Sequence, residues 1–214
     1  MKKYEHIMQL PLFSGASEEK IAELVEKIPF HFLKYEAGDH IFEQGENCTH
    51  LRFIVNGAVR VITKFQNLKV SFEQTLVAPH VLGAQSLFGI DTAHPHTALA
   101  ATSCGILQLK KADFISVLQS DKVFLFNILN YLSLNYQRGV ASLMGIQSNT
   151  PDERLMLIVK SLSHQHASDV QITFTQKDLS ALLCITRAGL AKTLHRLQEE
   201  GRISLVSPSK IVIN

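Results

Sequence analysis

The residues best placed to do chemistry in this chain are Arg187, Lys192, His195 and Arg196. Projected at 100° per residue, they share one half of a helix with Ala188 and Ala191. Leu190, Thr193, Leu194 and Leu197 gather in an arc of about 100° on the other half, so one face packs while the other offers cations. Arginine can bridge the O6 and N7 acceptors of guanine or pair with a phosphate. Lysine and a protonated histidine attract backbone phosphates as point charges. The two alanines leave room for close approach. An ordinary amphipathic surface helix with a solvated basic side has the same composition, so the neighbouring elements must decide between the two readings.

Those neighbours support a reader of duplex DNA. Thr175-Gln176-Lys177-Asp178 reads as a variant capping box, with the threonine hydroxyl serving free N–H groups of the next turn. Leu179, Leu182 and Leu183 then give a first helix its apolar face, a short turn follows, and Thr186 caps the second helix. Residues 201–213, broken by Ser207-Pro208-Ser209, read as a β-hairpin. Helix, tight turn, basic helix and hairpin is an order in which the second helix enters the major groove while the first crosses the backbone. Thr175, Gln176, Thr186, Arg187, Ala188, Lys192, His195 and Arg196 are the expected DNA-contacting residues.

Upstream the hydrophobic period changes. Ile21, Leu24, Val25 and Ile28 follow the helical spacing behind Ser17 as N-cap, and Pro29 ends that helix. From about residue 30 to 110, strand-length runs alternate with glycine and polar turns, arguing a β-barrel or roll. Asn56-Gly57, between two β-rich runs, suits a type I′ hairpin in which both central residues take positive φ. Runs at 69–77 and 97–109 continue the series. A short helix is expected over 111–119. Residues 122–148 then read as one long helix, about 40 Å at 1.5 Å per residue. It is apolar on nearly every face, so it must be buried on more than one side. The barrel covers one side, and an identical helix in a homodimer would cover another. Asn149-Thr150-Pro151 reads as a hinge.

Composition narrows the class further. The 214 residues carry a net charge of +2, which neither demands nor excludes nucleic acid. The longest stretch free of both charged residues and histidine is the 15 residues from Val123 to Gln137, which include three asparagines, so a non-membrane, cytoplasmic protein is expected. Cys48, Cys104 and Cys184 are dispersed, which suits reduced thiols. No Ser/His/Asp order, HExxH or phosphate-cradling glycine loop is present, so an enzyme is not expected.

The segment from Thr175 onward resembles the winged helix-turn-helix of the cAMP receptor protein / fumarate-nitrate regulator (Crp/Fnr) superfamily. The stretch EAGDHIFEQGENCTHLRFIVNGAVRVI resembles that superfamily's cyclic-nucleotide-binding barrel, with Gly38, Gly45 and Gly57 at turns and Ile41, Phe53, Ile54 and Val59 in strands. The resemblance implies an α+β chain with three parts. They are a cyclic-nucleotide-binding-like barrel of double-stranded β-helix (jelly-roll) type over 1–120, a dimerisation helix and hinge over 121–149, and a winged helix-turn-helix over 150–214. It further implies a bacterial transcription regulator that is a homodimer, with double-stranded DNA, RNA polymerase and a small-molecule effector as partners. An effector pocket would fall on Gly83, Ala84, Gln85, Ser86, His96, Thr97, Gly139 and Val140.

The chain departs from the family pattern inside that pocket. Ala84 stands where nucleotide-binding members place a ribose-binding glutamate, and His96 where they place the phosphate-pairing arginine. A neutral imidazole supplies neither full charge nor a bidentate fork, so an effector other than cAMP is expected. No cysteine precedes Cys48, which argues against the iron–sulfur branch. His94 and His96 form an HxH pair able to ligate haem iron or zinc, although loop histidines more often simply face solvent. The alternative reading is a haem- or small-molecule-binding sensor with a lapsed DNA-binding domain. Cys184 occupies a turn position where relatives place glycine. In the second helix Ala188 replaces a base-reading glutamate and Lys192 an arginine.

Overall fold

The computed structural model describes residues 5–146 and 150–214. The chain forms two compact units. The first takes the residues up to Arg60 and Leu76–Asn135, the second Val61–Thr75 and Tyr136–Asn214. Residues 61–75, which the sequence reading assigned to the barrel, thus group with the C-terminal residues.

The first unit begins with helices α1 (Glu5–Met8) and α2 (Glu18–Lys27). The Ser17 hydroxyl accepts the Lys20 N–H at 3.3 Å, and Ile21 and Leu24 are buried, as the helical spacing demands. The strands follow: β1 (His31–Tyr35), β2 (His40–Phe42), β3 (His50–Asn56), β4 (Ala58–Lys64), β5 (Val70–Val77), β6 (His80–Leu82), β7 (Thr97–Ala100) and β8 (Cys104–Lys110). β1, β8, β3 and β6 pair antiparallel in that order, with Leu107 opposite both Phe32 and Phe53. Along β3 the side chains alternate. Leu51 and Phe53 join the core beneath the helices, while Arg52 and Ile54 fall on the opposite face. Helix α3 (Lys111–Ser120) and the start of α4 (Lys122–Ile146) close that core with Phe114, Val117, Phe124 and Ile128. The Phe13 ring meets the Phe53 and Phe124 rings edge-on, at 5.5 and 5.6 Å.

The hairpin expected at Asn56-Gly57 is corrected. β3 lies in the four-stranded sheet whereas β4 neighbours β7 and β5, so the two strands do not pair. Gly57 alone takes positive φ, +77°. It forms a corner between sheets, where a Cβ would lie 2.5 Å from the Ser103 carbonyl oxygen. Asn56 serves the corner differently, its Oδ1 accepting the Gly105 N–H at 2.9 Å.

Within the second unit, α5 (Pro151–Leu162) starts from the capping box of Thr150 and Glu153. Asn149, Gln147 and Ser148, to which the hinge and the last residues of the long helix were assigned, lie outside the described residues. Strand β9 (Ser168–Phe174), which the sequence reading missed, runs between β5 and β11, with Ile172 opposite Phe72 and Ile211. Then come α6 (Gln176–Leu182), α7 (Arg187–Glu199), β10 (Ile203–Ser207) and β11 (Lys210–Ile213). Leu155, Val159, Leu179, Leu183, Leu190 and Leu197 pack on Phe72, Ile172, Phe174, Ile203 and Ile211. Gln74, 1% exposed, fastens the end of α5: its amide donates to the Leu162 carbonyl at 2.9 Å and accepts the His164 N–H at 2.8 Å.

Helix α4 has two characters. Phe124 and Ile128 are buried, and Asn127 donates to the carbonyls of Leu12 and Ser14 at 3.2 and 2.8 Å. Leu125, Phe126, Leu129 and Tyr136, which fall within one arc of about 100° at 100° per residue, form an exposed apolar stripe on the other side.

Candidate nucleic-acid interface

The basic helix is built as a rigid ledge. Thr175 caps α6 by accepting the Asp178 N–H at 3.1 Å, and Thr186 caps α7 by accepting the Gly189 N–H at 3.0 Å. Both caps fall where the sequence reading placed them. Leu190, Thr193 and Leu197 are buried, whereas Arg187, Ala188, Ala191, Lys192 and His195 are exposed along the opposite face. Gln176 is exposed at the start of α6.

Helix α5 braces the turn between them. Arg154 donates to the Leu183 carbonyl at 2.8 Å, covering a free acceptor at the end of α6. Asp152, 7% exposed, takes the Arg196 Nε–H at 2.9 Å. The Arg196 charge is therefore committed within the unit. His195 lies 3.3 Å from Glu199 across one helical turn, both exposed. Arg187 and Lys192 remain as the cations of this face with no ion pair among the described residues. Asp152 and Arg154 were missed in the sequence because their spacing announces only a helix start; their partners lie 29 to 44 positions further on. The turn carries strain: Cys184, exposed, has φ of +53°.

The residues assigned to an effector pocket divide between the units. Gly83, in the left-handed region at φ +71°, opens a short turn over Ala84–Ser86. Ala84, Ser86 and His96 are buried, Gln85 is half-buried, and the Thr97 hydroxyl accepts the Gln44 N–H at 3.1 Å. Gly139 and Val140 belong to the second unit.

The solvent-facing reading of the loop histidines is corrected. His94 is 2% exposed and lies flat on Phe42, ring centroids 3.8 Å apart and planes 15° apart. His96 tilts against the same ring at 5.7 Å. Arg52, also missed in the sequence, stands over Phe42 with its guanidinium carbon 5.5 Å from the centroid. The signal available for it was a cation inside the alternation Leu51-Arg52-Phe53. Burial, aided by the Arg52 charge, pushes the His94 imidazole down to about 4, and burial also lowers Arg52. Gly83 fits closely beneath: a Cβ there would meet His94 Cε1 at 2.8 Å. Among the described residues no three His, Cys, Asp or Glu side chains converge as a metal site would need.

Residues 32–121 match the Cyclic nucleotide-binding domain family. Over 114 residues the chain is 29% identical to Potassium channel SKOR of Arabidopsis thaliana, spanning 53% of this chain and only 13% of that protein. It is 21% identical over 179 residues to the cAMP-activated global transcriptional regulator CRP of Salmonella typhimurium, covering 81% of this chain and 85% of the relative. The structure of the Thermus thermophilus Catabolite Activator Protein superposes with a TM-score of 0.57 and 22% identity, covering 95% of this chain and 93% of that one. The channel match spans about half of this chain, whereas the regulator and the solved structure are matched over most of both chains. Residues 32–121 thus carry a cyclic nucleotide-binding domain, and the chain is similar to a CRP-type transcriptional regulator over most of its length.

Proposed function

We propose that this protein is a homodimeric, sequence-specific DNA-binding regulator of transcription in the bacterial cytoplasm. The observation that carries the reading is the exposed face of α7. Arg187 and Lys192 stand free there beside Ala188 and Ala191, on a helix held by Thr186 and by the Asp152 brace. Thr175, Gln176 and Thr186, at the two helix starts, meet phosphates, while Arg187 reads a base edge. The division 1–120, 121–149 and 150–214 describes sensor, dimerisation helix with hinge, and winged helix-turn-helix. No helix among the described residues is long and apolar enough to cross a membrane.

Dimerisation through α4 is supported by its exposed stripe, since Phe126, Leu129 and Tyr136 are 58, 50 and 73% exposed. A second copy of the helix would remove that apolar surface from water. The CRP relative carries cAMP activation in its name. Here Ala84 and His96 occupy the glutamate and arginine positions of the family pattern, and His94 packs against Phe42. The effector of this chain is therefore another small molecule, and RNA polymerase is the partner that reads the outcome.

Selection from a random duplex pool with the purified protein tests the reading. It should enrich two inverted half-sites about one helical turn apart. An unenriched pool refutes it.

A further inference from the structure

We infer that the turn joining β4 to β5 is a second DNA-backbone contact, with Lys69 and Lys177 each pairing with a backbone phosphate beside the start of α6. This rests on the proposed DNA reading and extends its footprint to residues outside the helix-turn-helix.

The turn is fixed to α6 by its own backbone. The Thr175 N–H donates to the Lys69 carbonyl at 3.1 Å, and the Lys69 N–H donates to Asp178 Oδ2 at 3.3 Å. Phe65 and Leu68, on either side of Asn67, pack against the apolar core of the second unit. Strand β5 continues the tie by pairing with β9 from Val70 to Thr75. Lys69 thus leaves a backbone whose position relative to Thr175 is set, and the contact would cost less ordering entropy than one from a free loop.

Between turn and helix lies a cleft of about 620 Å³, lined by Asn67, Leu68, Lys69, Thr175, Lys177 and Asp178. Neither ammonium group is paired with a carboxylate among the described residues. Asp178, the one acid in the cleft, has its carboxylate held by the Thr175 hydroxyl and the Lys69 N–H. The hydrogen bond from Thr175 leads in keeping that carboxyl below its usual range. Two lysines against one acid leave the cleft cationic. Residues 61–72 contain no acid, so nothing else on the turn repels an anion. Lysine suits a backbone phosphate, being a mobile point charge without base preference. A strand that meets Thr175 and Gln176 passes the mouth of this cleft.

The test is the salt dependence of binding, read by fluorescence anisotropy on a duplex that the wild-type protein binds. Each phosphate contact contributes about 0.9 to the slope of log affinity against log salt. Lys69→Gln and Lys177→Gln should each lower that slope by about 1, and the double variant by about 2. The loss should be of similar factor on selected and scrambled duplexes, because phosphates carry no sequence. Lys69→Arg should restore the wild-type slope, and thermal midpoints should be unchanged, since both ammonium groups are unbonded in the fold. Wild-type slopes in the Gln variants overturn this inference and leave the DNA reading standing. A wild-type protein that binds no duplex overturns both.

Discussion

Preferential protonation of the unfolded chain at His94 should weaken the first unit between pH 6.5 and 4. The ring is buried on Phe42 and held near a pKa of about 4 by desolvation first and by the Arg52 cation second, with Glu46 opposing weakly. In the unfolded chain the same imidazole titrates near 6.5. The folded value is the lower one, so between the two the unfolded state binds more protons and stability rises with pH. The contribution is fully present above about pH 6.5 and is lost as pH falls toward 4. Linkage puts the loss at about 2 kcal/mol by pH 5 and about 3 kcal/mol by pH 4, an appreciable share of a domain's stability of about 5–15 kcal/mol. His164, its ring likewise pushed down to about 4 by burial, adds a parallel loss in the second unit. The assay is urea denaturation at half-unit steps from pH 7.5 to 4.5, compared with His94→Gln. The variant should be weaker at pH 7.5, having lost the stack, but its stability should fall less steeply with acid. Resonances of the folded His94 ring that titrate near 6.5 would refute the reasoning, as would an unchanged acid slope in the variant.

Other substitutions probe single contacts. Gly57→Ala combines positive φ with a Cβ 2.5 Å from a carbonyl oxygen, so its midpoint in urea should correspond to a loss of at least about 2 kcal/mol. Cys184→Gly relieves the left-handed turn at φ +53° and should stabilise the second unit by up to about 1 kcal/mol in a melt. Asp152→Asn frees Arg196 from its brace. Because that arginine is 53% exposed, the stability cost should be modest, about 1 kcal/mol. Its DNA affinity should fall through misplacement of α7, read as weaker binding to a selected duplex and a smaller melting-temperature difference between free and bound protein.

How much was legible in the sequence follows from the range of the signals. Thr175, Thr186 and Ser17 were readable as caps because a cap bonds within three residues of itself. The buried face of α7 was readable from period alone. Gly57 was readable as a glycine that needs positive φ, but not as a corner, because what excludes a side chain there is Ser103, 46 positions later in the chain. Strand β9 escaped notice because its partners β5 and β11 lie about 100 residues before it and 40 after. His94 looked like a loop histidine until Phe42, Gly83 and Arg52 were seen around it. Local capping and periodicity are written in adjacent residues, whereas burial of a polar ring depends on which strands meet.

The central claim, that the exposed face of α7 reads DNA, is tested most directly by titrating wild-type protein and Arg187→Ala against one selected duplex and its scrambled counterpart. The account predicts that the substitution weakens binding to the selected duplex by about 1–3 kcal/mol while binding to the scrambled one changes much less. Equal affinity of both proteins for the selected duplex would contradict it.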